Sequence, residues 1–313
     1  MKMVIIEPLG VADEKLLEMG AYLKDRMELV YYNTRTTDPA ELIKRGKDAD
    51  IIVVSNLPLG ADVIGSCRNL KLISVAFTGI DHIAMEICRE RGITVCNCAG
   101  YSTCAVADLV FGMLITLYRN VIPCDQACRE GRTKDGLIGF ELAGKQFGVV
   151  GTGAIGLRVA AIAAAFGCDV YAYSRTRKEI PGVRYVELDT LLKTCDIISL
   201  HTPLNEETRG LINAERLGLM KPTAVLINTA RGPVVDSQAL AAALKSGTIA
   251  GACIDVFEQE PPIAVDHPLL TAPNTVVAPH IAFATKEALI KRAVTVFENV
   301  DNYLNGQPQN VMN

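Results

Sequence analysis

The chain has 313 residues, of which 50% are hydrophobic and 21% are charged, and its formal net charge is -4. This length suits two domains of an ordinary globular protein. The mild negative charge and the lack of a dense Lys/Arg cluster argue against nucleic-acid binding. The sequence shows no basic and apolar leader, and its apolar runs are shorter than the roughly 20 residues of a membrane span. We therefore expect a cytoplasmic protein without membrane partners.

Apolar segments typical of strands alternate with helical segments through the first hundred residues. The predicted strands are 3–7, 28–32, 50–55, 70–77 and 93–97. The predicted helices between them are 12–24, 39–46 and 85–91. This alternation predicts a small parallel α/β domain.

The segment CAVADLVFGMLITLYRN, which follows shortly after Ser102, predicts one long helix with few charges. It is too apolar for a helix on the surface of a monomer and too polar at its ends for a membrane. We therefore expect it to lie at a domain or subunit interface.

The segment FGVVGTGAIG, from Phe147 to Gly156, is typical of a turn that holds a nucleotide pyrophosphate. Its first glycine allows a tight turn from strand to helix, the second allows close approach of a phosphate, and the third allows the helix to pack on the strand. The Ala-rich segment 157–166 predicts a helix whose positive amino-terminal end faces the anion. The predicted cofactor-binding residues of this turn are Gly151, Gly153, Ala154, Ile155 and Gly156.

Six further strand-like segments follow the glycine turn. They are CDVYAYS, GVRYVE, CDIISLH, AVLINTA, GACIDVF and TVVAPH. An amphipathic helix at 286–305 then leads into a polar tail, GQPQNVMN, that could return to the first domain. This order predicts a second parallel α/β domain inserted into the first, with ligands bound beyond the carboxyl ends of the strands in a cleft.

Three residues at such strand ends form a candidate catalytic set. Arg231 follows LINTA, Glu260 follows IDVF by a few residues, and His280 ends TVVAP. A guanidinium suits bidentate binding of a substrate carboxylate. An imidazole can give a proton to a carbonyl oxygen near neutral pH, and a neighbouring glutamate would orient it and favour its charged form.

The other histidines and the cysteines are the alternatives for a reactive site. His201, at the end of CDIISL, is the strongest rival of His280, although the segment after it is typical of a loop over a cofactor; His82 and His267 lie in loops. The ten cysteines are scattered from Cys67 to Cys253 without the paired spacing of a zinc site. We therefore expect reduced thiols and no metal.

Five segments of the chain together resemble one known family. FGVVGTGAIG, LHTPLNEETRGLI, LINTARGPVVD, IDVFEQEPP and APHIAFAT are similar to the motifs of the D-isomer-specific 2-hydroxyacid dehydrogenases, which include glyoxylate and hydroxypyruvate reductases, D-lactate dehydrogenase and phosphoglycerate dehydrogenase. The resemblance spans essentially the whole chain. It implies the same catalytic set, Arg231, Glu260 and His280, that the strand ends indicate.

The resemblance implies further site residues. For the substrate they are Leu57 in the segment SNLPL and the loop residues Phe77, Thr78 and Gly79, whose backbone N–H groups would bind a carboxylate. Beside the nicotinamide they are Cys104, Val106 and Asp108, with Asp255 at its carboxamide. The remaining cofactor-binding residues implied are His201, Thr202, Pro203, Thr208, Thr229, Ala230, Arg231 and His280.

The resemblance also implies a domain scheme and an assembly. Residues 1–99 plus 287–313 would form the substrate domain, and residues 100–286 the Rossmann domain that binds the dinucleotide. A symmetric homodimer through the cofactor domain is the family's habit.

The chain departs from the commoner family pattern at the end of the second strand of the cofactor domain. NAD-specific members usually carry an Asp there, whereas this chain has Ser174 followed by Arg175, Thr176 and Arg177. Guanidiniums and hydroxyls beside the ribose suit a 2′-phosphate. The sequence thus predicts an NAD(P)(H) cofactor and favours NADP(H).

The expected reaction is reduction of a 2-oxo acid to the D-2-hydroxy acid by hydride transfer. SNLPL lacks a basic residue that would hold a substrate phosphate, and with Phe77 this favours a small or apolar acid such as glyoxylate, hydroxypyruvate or a branched 2-oxo acid. Two alternatives stay open. One is a dehydrogenase of formate or phosphite, and the other is a non-catalytic, NAD(H)-sensing protein like the corepressors of this fold.

Overall fold

The computed structural model describes residues 1–260 and 262–313. The chain folds into two compact units. Unit 1 consists of Met1–Ser102 together with Ala284–Asn313, and unit 2 consists of Thr103–Phe283. Each unit contains its own parallel sheet with helices, so the predicted α/β class with two parallel-sheet domains is confirmed.

Strands and helices are numbered here in chain order within the described residues. The strands are β1 (Lys2–Ile5), β2 (Glu28–Tyr31), β3 (Ile51–Val54), β4 (Leu72–Val75), β5 (Thr94–Cys96), β6 (Gln146–Val150), β7 (Asp169–Tyr173), β8 (Val183–Tyr185), β9 (Ile197–Leu200), β10 (Val225–Asn228), β11 (Gly251–Ile254) and β12 (Thr275–Val277). The helices are α1 (Asp13–Met19), α2 (Pro39–Gly46), α3 (Ala61–Ser66), α4 (Met85–Glu90), α5 (Thr103–Tyr118), α6 (Val121–Arg129), α7 (Ala154–Ala165), α8 (Leu188–Thr194), α9 (Ala214–Leu219), α10 (Ser237–Ser246) and α11 (Lys286–Leu304).

The sheet of unit 1 has the strand order β2-β1-β3-β4-β5, and every described pairing is parallel. Strands β3 and β4 read IIVV and LISV and are buried along their whole length. Such runs, rather than alternating patterns, are typical of parallel strands that are covered on both faces. All carboxyl ends of these strands therefore lie at one edge of the sheet.

The first helix is shorter than the sequence predicts. We predicted residues 12–24, but α1 ends at Met19 and a short 3₁₀ turn follows at Ala21–Leu23. The break falls at Gly20, where a Cβ would lie 2.6 Å from the ring of Phe297. Close packing against α11 thus requires a glycine, and glycine is a weak helix former.

The last residues of the chain lie beside the edge strand β5. Val311 forms an antiparallel bridge with Cys96, Asn97 N–H donates to the Asn310 carbonyl at 3.0 Å, and Met312 N–H donates to the Val95 carbonyl at 2.9 Å. The polar tail is therefore part of unit 1.

The sheet of unit 2 has the strand order β12-β11-β10-β9-β6-β7-β8, again with parallel pairings. The strand order changes direction at β6, which pairs with β7 on one side and with β9 on the other. The loops at the carboxyl ends of β6 and β9 therefore diverge, and this is the point where doubly wound sheets bind ligands.

Helix α5 packs inside unit 2, which gives a different reason for its apolar sequence from the one we expected. Its residues Val110, Phe111 and Leu114 belong to a buried cluster with Phe147 of β6 and Val159 of α7. The expectation of a domain or subunit interface is thus not needed to explain the lack of charge. In the described residues no single helix has the length and apolar character to cross a membrane, although the bent pair α5 and α6 passes a test of length and composition.

Candidate active site

The turn after β6 has a steric reason for each of its glycines. Gly151 has φ +99°, which is unfavourable for other residues, and a Cβ there would lie 2.6 Å from the His201 carbonyl oxygen. A Cβ on Gly156 would lie 2.0 Å from the Gly151 carbonyl oxygen. A Cβ on Gly153 would meet no described atom within 4 Å. Two glycines thus allow the tight turn, and the middle one leaves open space beside it.

The amino terminus of α7 starts at this open space. Its N-cap residue is Gly153, and no side chain in the described part of the chain caps the helix. The first N–H groups of a helix have no partners within the helix and carry partial positive charge. The turn and the helix together fit a dinucleotide pyrophosphate.

Three threonine hydroxyls at neighbouring strand ends have unused hydrogen-bonding capacity. Thr152 follows β6, Thr202 follows β9 and Thr229 follows β10. Each Oγ1 is buried, and none has a hydrogen-bond partner within residues 1–260 and 262–313. A buried hydroxyl without a partner costs free energy, so such groups call for an explanation such as a polar ligand. This edge of unit 2 therefore fits the polar groups of a nicotinamide dinucleotide.

The predicted ribose-binding residues follow β7 and lie on the surface. Arg175 Nη1 pairs with Glu207 Oε2 at 2.9 Å, and Arg177 Nη2 pairs with Glu187 Oε1 at 2.5 Å. Both ion pairs are exposed, so their net contribution to stability is small. The guanidiniums can exchange these carboxylates for another anion at little cost.

His280 is held in a strained turn after β12. Its φ is +55°, and its N–H donates to the Asp255 carbonyl at 2.7 Å. The ring atom Nδ1 is hydrogen-bonded to Glu260 Oε2, while Glu260 Oε1 accepts from the Phe257 N–H. The ring of Phe283 contacts the imidazole edge to face at a centroid distance of 5.4 Å. The His–Glu pair that the sequence suggested is therefore formed, and both of its members are only partly exposed.

Asp255, directly after β11, supports the turn that carries His280. Its carboxylate is fully buried and accepts the Ile281 N–H at 2.8 Å and the Ala282 N–H at 2.9 Å. Burial raises the pKa of Asp255 to about 6, while these two N–H groups and His280 oppose the rise. Contact of Asp255 with a coenzyme carboxamide stays a prediction.

Arg231 follows β10 and lies next to the loop that holds Glu260. Its Nη1 donates to the Ala230 carbonyl at 2.8 Å, and its own carbonyl accepts from Asn228 Nδ2 at 2.9 Å. A Cβ on the next residue, Gly232, would lie 2.0 Å from the Phe257 carbonyl carbon. The loop of Arg231 and the loop of Phe257 and Glu260 thus contact each other within unit 2.

The alternative histidines are less suited to proton transfer. His201 Nε2 is hydrogen-bonded to Ser199 Oγ at 2.9 Å, and burial lowers the pKa of His201 to about 3. Its ring is therefore neutral at physiological pH. His267 uses both ring nitrogens, since Nε2 pairs with Glu258 Oε2 at 2.9 Å and Nδ1 accepts from the Leu269 N–H.

The predicted substrate residues lie at the carboxyl edge of the sheet of unit 1. Leu57 follows β3 and its side chain is fully buried, so it presents no surface to a ligand. Phe77 is buried, whereas Thr78 and Gly79 are half-buried. The Thr78 carbonyl accepts from Asn97 Nδ2 at 2.8 Å, so this loop is held at its backbone.

The other predicted cofactor residues differ in what they already do. The Thr208 hydroxyl donates to the Pro203 carbonyl at 2.7 Å and shapes the loop after β9. Val106 is buried on α5, whereas Cys104 and Asp108 of the same helix are exposed. Their proximity to a nicotinamide stays a prediction.

The cysteines behave as free thiols, and most of them are buried. Burial raises the pKa of Cys96 to about 11 and that of Cys98 to about 12, so both stay protonated and unreactive. Among residues 1–260 and 262–313, no group of three or more metal-binding side chains could hold an ion.

Sequence reasoning named Asp255 only as a contact of the carboxamide, and it missed how Asp255 and Phe257 support the site. Neither the Phe257 N–H that binds Glu260 nor the carboxylate of Asp255 under the His280 turn follows from a motif. The one available signal for Asp255 was its acidic side chain directly after an apolar strand, where burial demands a partner.

The family model for the NAD-binding domain of D-isomer-specific 2-hydroxyacid dehydrogenases matches residues 111–282. A glyoxylate reductase of Thermofilum pendens is 41% identical over 299 residues, which cover 91% of this chain and 88% of that protein. The chain belongs to the D-isomer-specific 2-hydroxyacid dehydrogenase family. It is thus an NAD(P)-dependent oxidoreductase that acts on the CH–OH group.

Two further relatives of this D-2-hydroxyacid dehydrogenase cover nearly the whole chain. A hydroxypyruvate reductase of Blautia hydrogenotrophica is 36% identical over 297 residues, covering 91% of each protein. Among solved structures, the acyclic imino acid reductase Bsp5 in complex with NADPH and D-Arg matches with a TM-score of 0.93 and 31% identity, and the match covers 100% of both chains. The family recognition made from the five motifs is therefore confirmed.

Proposed function

We propose that this protein is a D-2-hydroxyacid dehydrogenase that reduces a small 2-oxo acid, such as glyoxylate or hydroxypyruvate, to the D-2-hydroxy acid. The observation that supports it most is the His280–Glu260 pair, held on the Asp255 turn at the same sheet edge as the glycine turn and the unpartnered threonine hydroxyls. Relatives named glyoxylate and hydroxypyruvate reductase support the substrate class.

In the proposed mechanism Arg231 binds the substrate carboxylate and His280 handles the proton. The planar guanidinium matches a carboxylate with two parallel hydrogen bonds and also polarises the neighbouring carbonyl. Glu260 engages Nδ1 of the imidazole, so the proton would pass to the substrate oxygen from Nε2. The nicotinamide, when bound, supplies the hydride. Thr78 and Gly79 of unit 1 stay predicted substrate-binding residues.

The residues around His280 hold its ring in one orientation. Glu260 is hydrogen-bonded to Nδ1 of the ring, and its second oxygen is fixed by the Phe257 N–H. The Asp255 carboxylate holds the backbone directly after His280, at Ile281 and Ala282. A proton donor that is already oriented loses little entropy when the substrate arrives.

We further propose that the coenzyme is NADPH rather than NADH. Either coenzyme would suit the glycine turn, α7 and the threonine hydroxyls. After β7, however, the chain has two cations, Arg175 and Arg177, that can bind a 2′-phosphate. An acidic residue at this place would repel that phosphate. Solved relatives are bound to NADPH in one case and to NAD in two others, so the proposal rests on the two arginines.

A homodimer is proposed on an apolar surface of unit 2. The side chains of Ile122, Ile138 and Phe140 are 60%, 80% and 64% exposed, and those of Val121 and Phe166 are partly exposed as well. Exposed apolar side chains in one region are typical of an association surface. A second copy of the chain is the proposed occupant, and sedimentation velocity measures the expected mass of twice 33.7 kDa.

One assay tests the reaction and the coenzyme. NAD(P)H absorbance is followed with glyoxylate, hydroxypyruvate, pyruvate and branched 2-oxo acids, and with formate and phosphite in the reverse direction. We expect turnover of at least one 2-oxo acid and a lower KM for NADPH than for NADH. Turnover of only formate or phosphite, or coenzyme binding without any turnover, would support the alternative functions instead.

A further inference from the structure

A glutamate that the reaction does not use is buried at the carboxyl end of β1. The side chain of Glu7 is fully buried. Its Oε1 accepts the N–H of Ser55 at 2.7 Å and the N–H of Leu57 at 3.1 Å, and its Oε2 accepts from Arg35 Nη1 at 3.0 Å. One carboxylate thus connects the ends of β1 and β3 with the segment after β2.

Stability alone gives no reason for a charged group at this position. Burial raises the pKa of Glu7, and Arg35, the two N–H groups and Arg292 only oppose that rise. A buried ion pair seldom stabilises a fold better than apolar side chains of the same size, because both charges lose their hydration. The N–H groups of Ser55 and Leu57 need an acceptor, but a neutral amide oxygen would also serve them, so the charge itself calls for a further role.

All three residues of the segment Ser55–Leu57 are held by this ionic group. Arg35 Nη1 also donates to Asn56 Oδ1 at 2.7 Å. Arg292 of α11 donates from Nη1 to the Ser55 hydroxyl at 3.1 Å and from Nη2 to the Leu9 carbonyl. Glu7 lies at the centre of these contacts because it binds both the segment and the guanidinium of Arg35.

The segment that Glu7 holds lies beside the predicted substrate loop of unit 1. Leu59 N–H donates to the His82 carbonyl at 2.9 Å, and Ala84 N–H donates to the Leu59 carbonyl at 3.0 Å. These bonds join the loop after β3 to the loop after β4, which contains Phe77, Thr78 and Gly79. Ligands of parallel sheets bind beyond such strand ends.

We propose that Glu7 is a positioning residue for substrate binding: its carboxylate fixes Ser55–Leu57 and, through Leu59, the loop that contains Thr78 and Gly79. This inference rests on the proposed function. It assigns Glu7 an effect on the affinity for the 2-oxo acid and none on the hydride or proton transfer, because its hydrogen bonds within the described residues go to the loop backbone and to Arg35.

The variant Glu7→Gln tests the proposal. It keeps the shape of the side chain but loses the charge and places an amide against the Arg35 guanidinium. A hydrogen bond to a charged group contributes about 1.5–3 kcal/mol, and a loss of about 1.4 kcal/mol corresponds to a factor of ten. We therefore expect KM for the best 2-oxo acid to rise about tenfold. The values of kcat and of the coenzyme Kd are expected to change by less than about twofold. A structural defect alone would lower the active fraction and hence kcat instead.

A second variant and a matched control accompany it. Arg35→Gln removes the partner of Glu7 from a partly exposed position, and we expect a rise in KM of about threefold. Asp50→Asn is the control, because Asp50 also accepts a backbone N–H (Lys2, 2.9 Å) and pairs with a cation (Lys71, 2.9 Å), but at the amino ends of the same strands. Its KM is expected to stay within about twofold of the wild type.

The outcomes separate the inference from the proposed function. If the wild type reduces no 2-oxo acid, the proposed function is wrong and the inference falls with it. If the wild type is active and both Glu7→Gln and Arg35→Gln keep its KM, only the inference is overturned. An equal rise of KM in Asp50→Asn also overturns it, because the effect would then be one of general stability. Should Glu7→Gln not fold, Arg35→Gln against Asp50→Asn decides.

Discussion

The carboxyl edges of the two sheets differ in their polar groups. In unit 1, the Glu7 carboxylate binds the loop after β3, and Asn97 Nδ2 binds the Thr78 carbonyl. In unit 2, the hydroxyls of Thr152, Thr202 and Thr229 have no partner among the described residues. Internal hydrogen bonds shape both edges, through Glu7 in unit 1 and through Asp255 and Glu260 in unit 2, but only the second edge has these three hydroxyls free for a partner from outside the described residues.

This difference predicts which of the two edges is stabilised when a polar ligand binds. A buried polar group without a partner costs about 1–3 kcal/mol, so the edge of unit 2 gains stability when a polar ligand binds. In unit 1, the Glu7 carboxylate and the Thr78 carbonyl are already hydrogen-bonded, so a ligand would add no such stabilisation through them. A coenzyme that binds tightly and a small substrate that needs a preformed contact surface would call for these two designs.

Removal of the imidazole is expected to have the largest effect on the open edge. We expect His280→Ala to lower kcat by about 1,000-fold, because general acid catalysis contributes about 10²–10⁴-fold. The coenzyme Kd should change by less than about threefold, since the glycine turn and α7 are untouched. Stopped-flow turnover and coenzyme fluorescence titration measure the two quantities.

The matched control is His267→Ala. His267 also pairs with a glutamate, but its partner is Glu258, whereas His280 pairs with Glu260. Its kcat should stay within about fivefold of the wild type. Equal losses in both variants would contradict a catalytic role specific to His280.

The buried carboxylate under the His280 turn predicts a pH-dependent stability. Because burial raises the pKa of Asp255 to about 6, from an ordinary value of 3.8, the folded protein takes up a proton more readily than the unfolded chain. The free energy of unfolding should therefore decrease as the pH rises from about 4 to about 6, by at most about 3 kcal/mol, and this term should be constant above that range.

Urea unfolding of the wild type and of Asp255→Asn between pH 4 and pH 7 measures this dependence. The difference in free energy of unfolding between the two proteins should carry the slope, because asparagine does not titrate. A difference that is flat with pH would show that Asp255 is ionised throughout.

The smallest expected effects compare the two edges directly. Thr229→Val removes a buried hydroxyl that has no partner among the described residues, so the free energy of unfolding without coenzyme should rise by about 1–3 kcal/mol. Asn97→Leu removes a side chain that binds the Thr78 carbonyl and accepts the Ala99 N–H at 3.2 Å, and should cost about 2 kcal/mol.

The two variants are expected to differ in the opposite sense when coenzyme affinity is measured. Thr229→Val should weaken coenzyme binding about threefold to tenfold, whereas Asn97→Leu should leave it unchanged. Urea unfolding with and without NADPH gives both quantities. The same cost for both variants without coenzyme would remove the distinction between the two edges.

The sequence was sufficient for those features that depend on residues close in the chain. The alternation of apolar segments predicted both parallel sheets, and the spacing of Gly151, Gly153 and Gly156 predicted the turn into α7. The Glu260–His280 hydrogen bond joins residues 20 apart, yet it was accessible because each residue lies in the segment after a strand of known direction.

Features that depend on distant partners were not accessible. Glu7 meets Ser55 across 48 residues, and nothing in the segment IIEPL indicates a buried carboxylate. The apolar character of α5 suggested an interface, because composition does not distinguish a helix inside a unit from one between units. Leu57 stays a predicted substrate-binding residue, but its position in the segment SNLPL could not show that its side chain is fully buried.

The tail beside β5 also has a consequence for handling the protein. Edge strands with open N–H and C=O groups are templates for association with other chains. Residues 310–313 occupy the outer side of β5, with Asn313 Oδ1 accepting the Val95 N–H at 3.1 Å. Deletion of residues 310–313 would uncover this strand edge and is expected to promote aggregation.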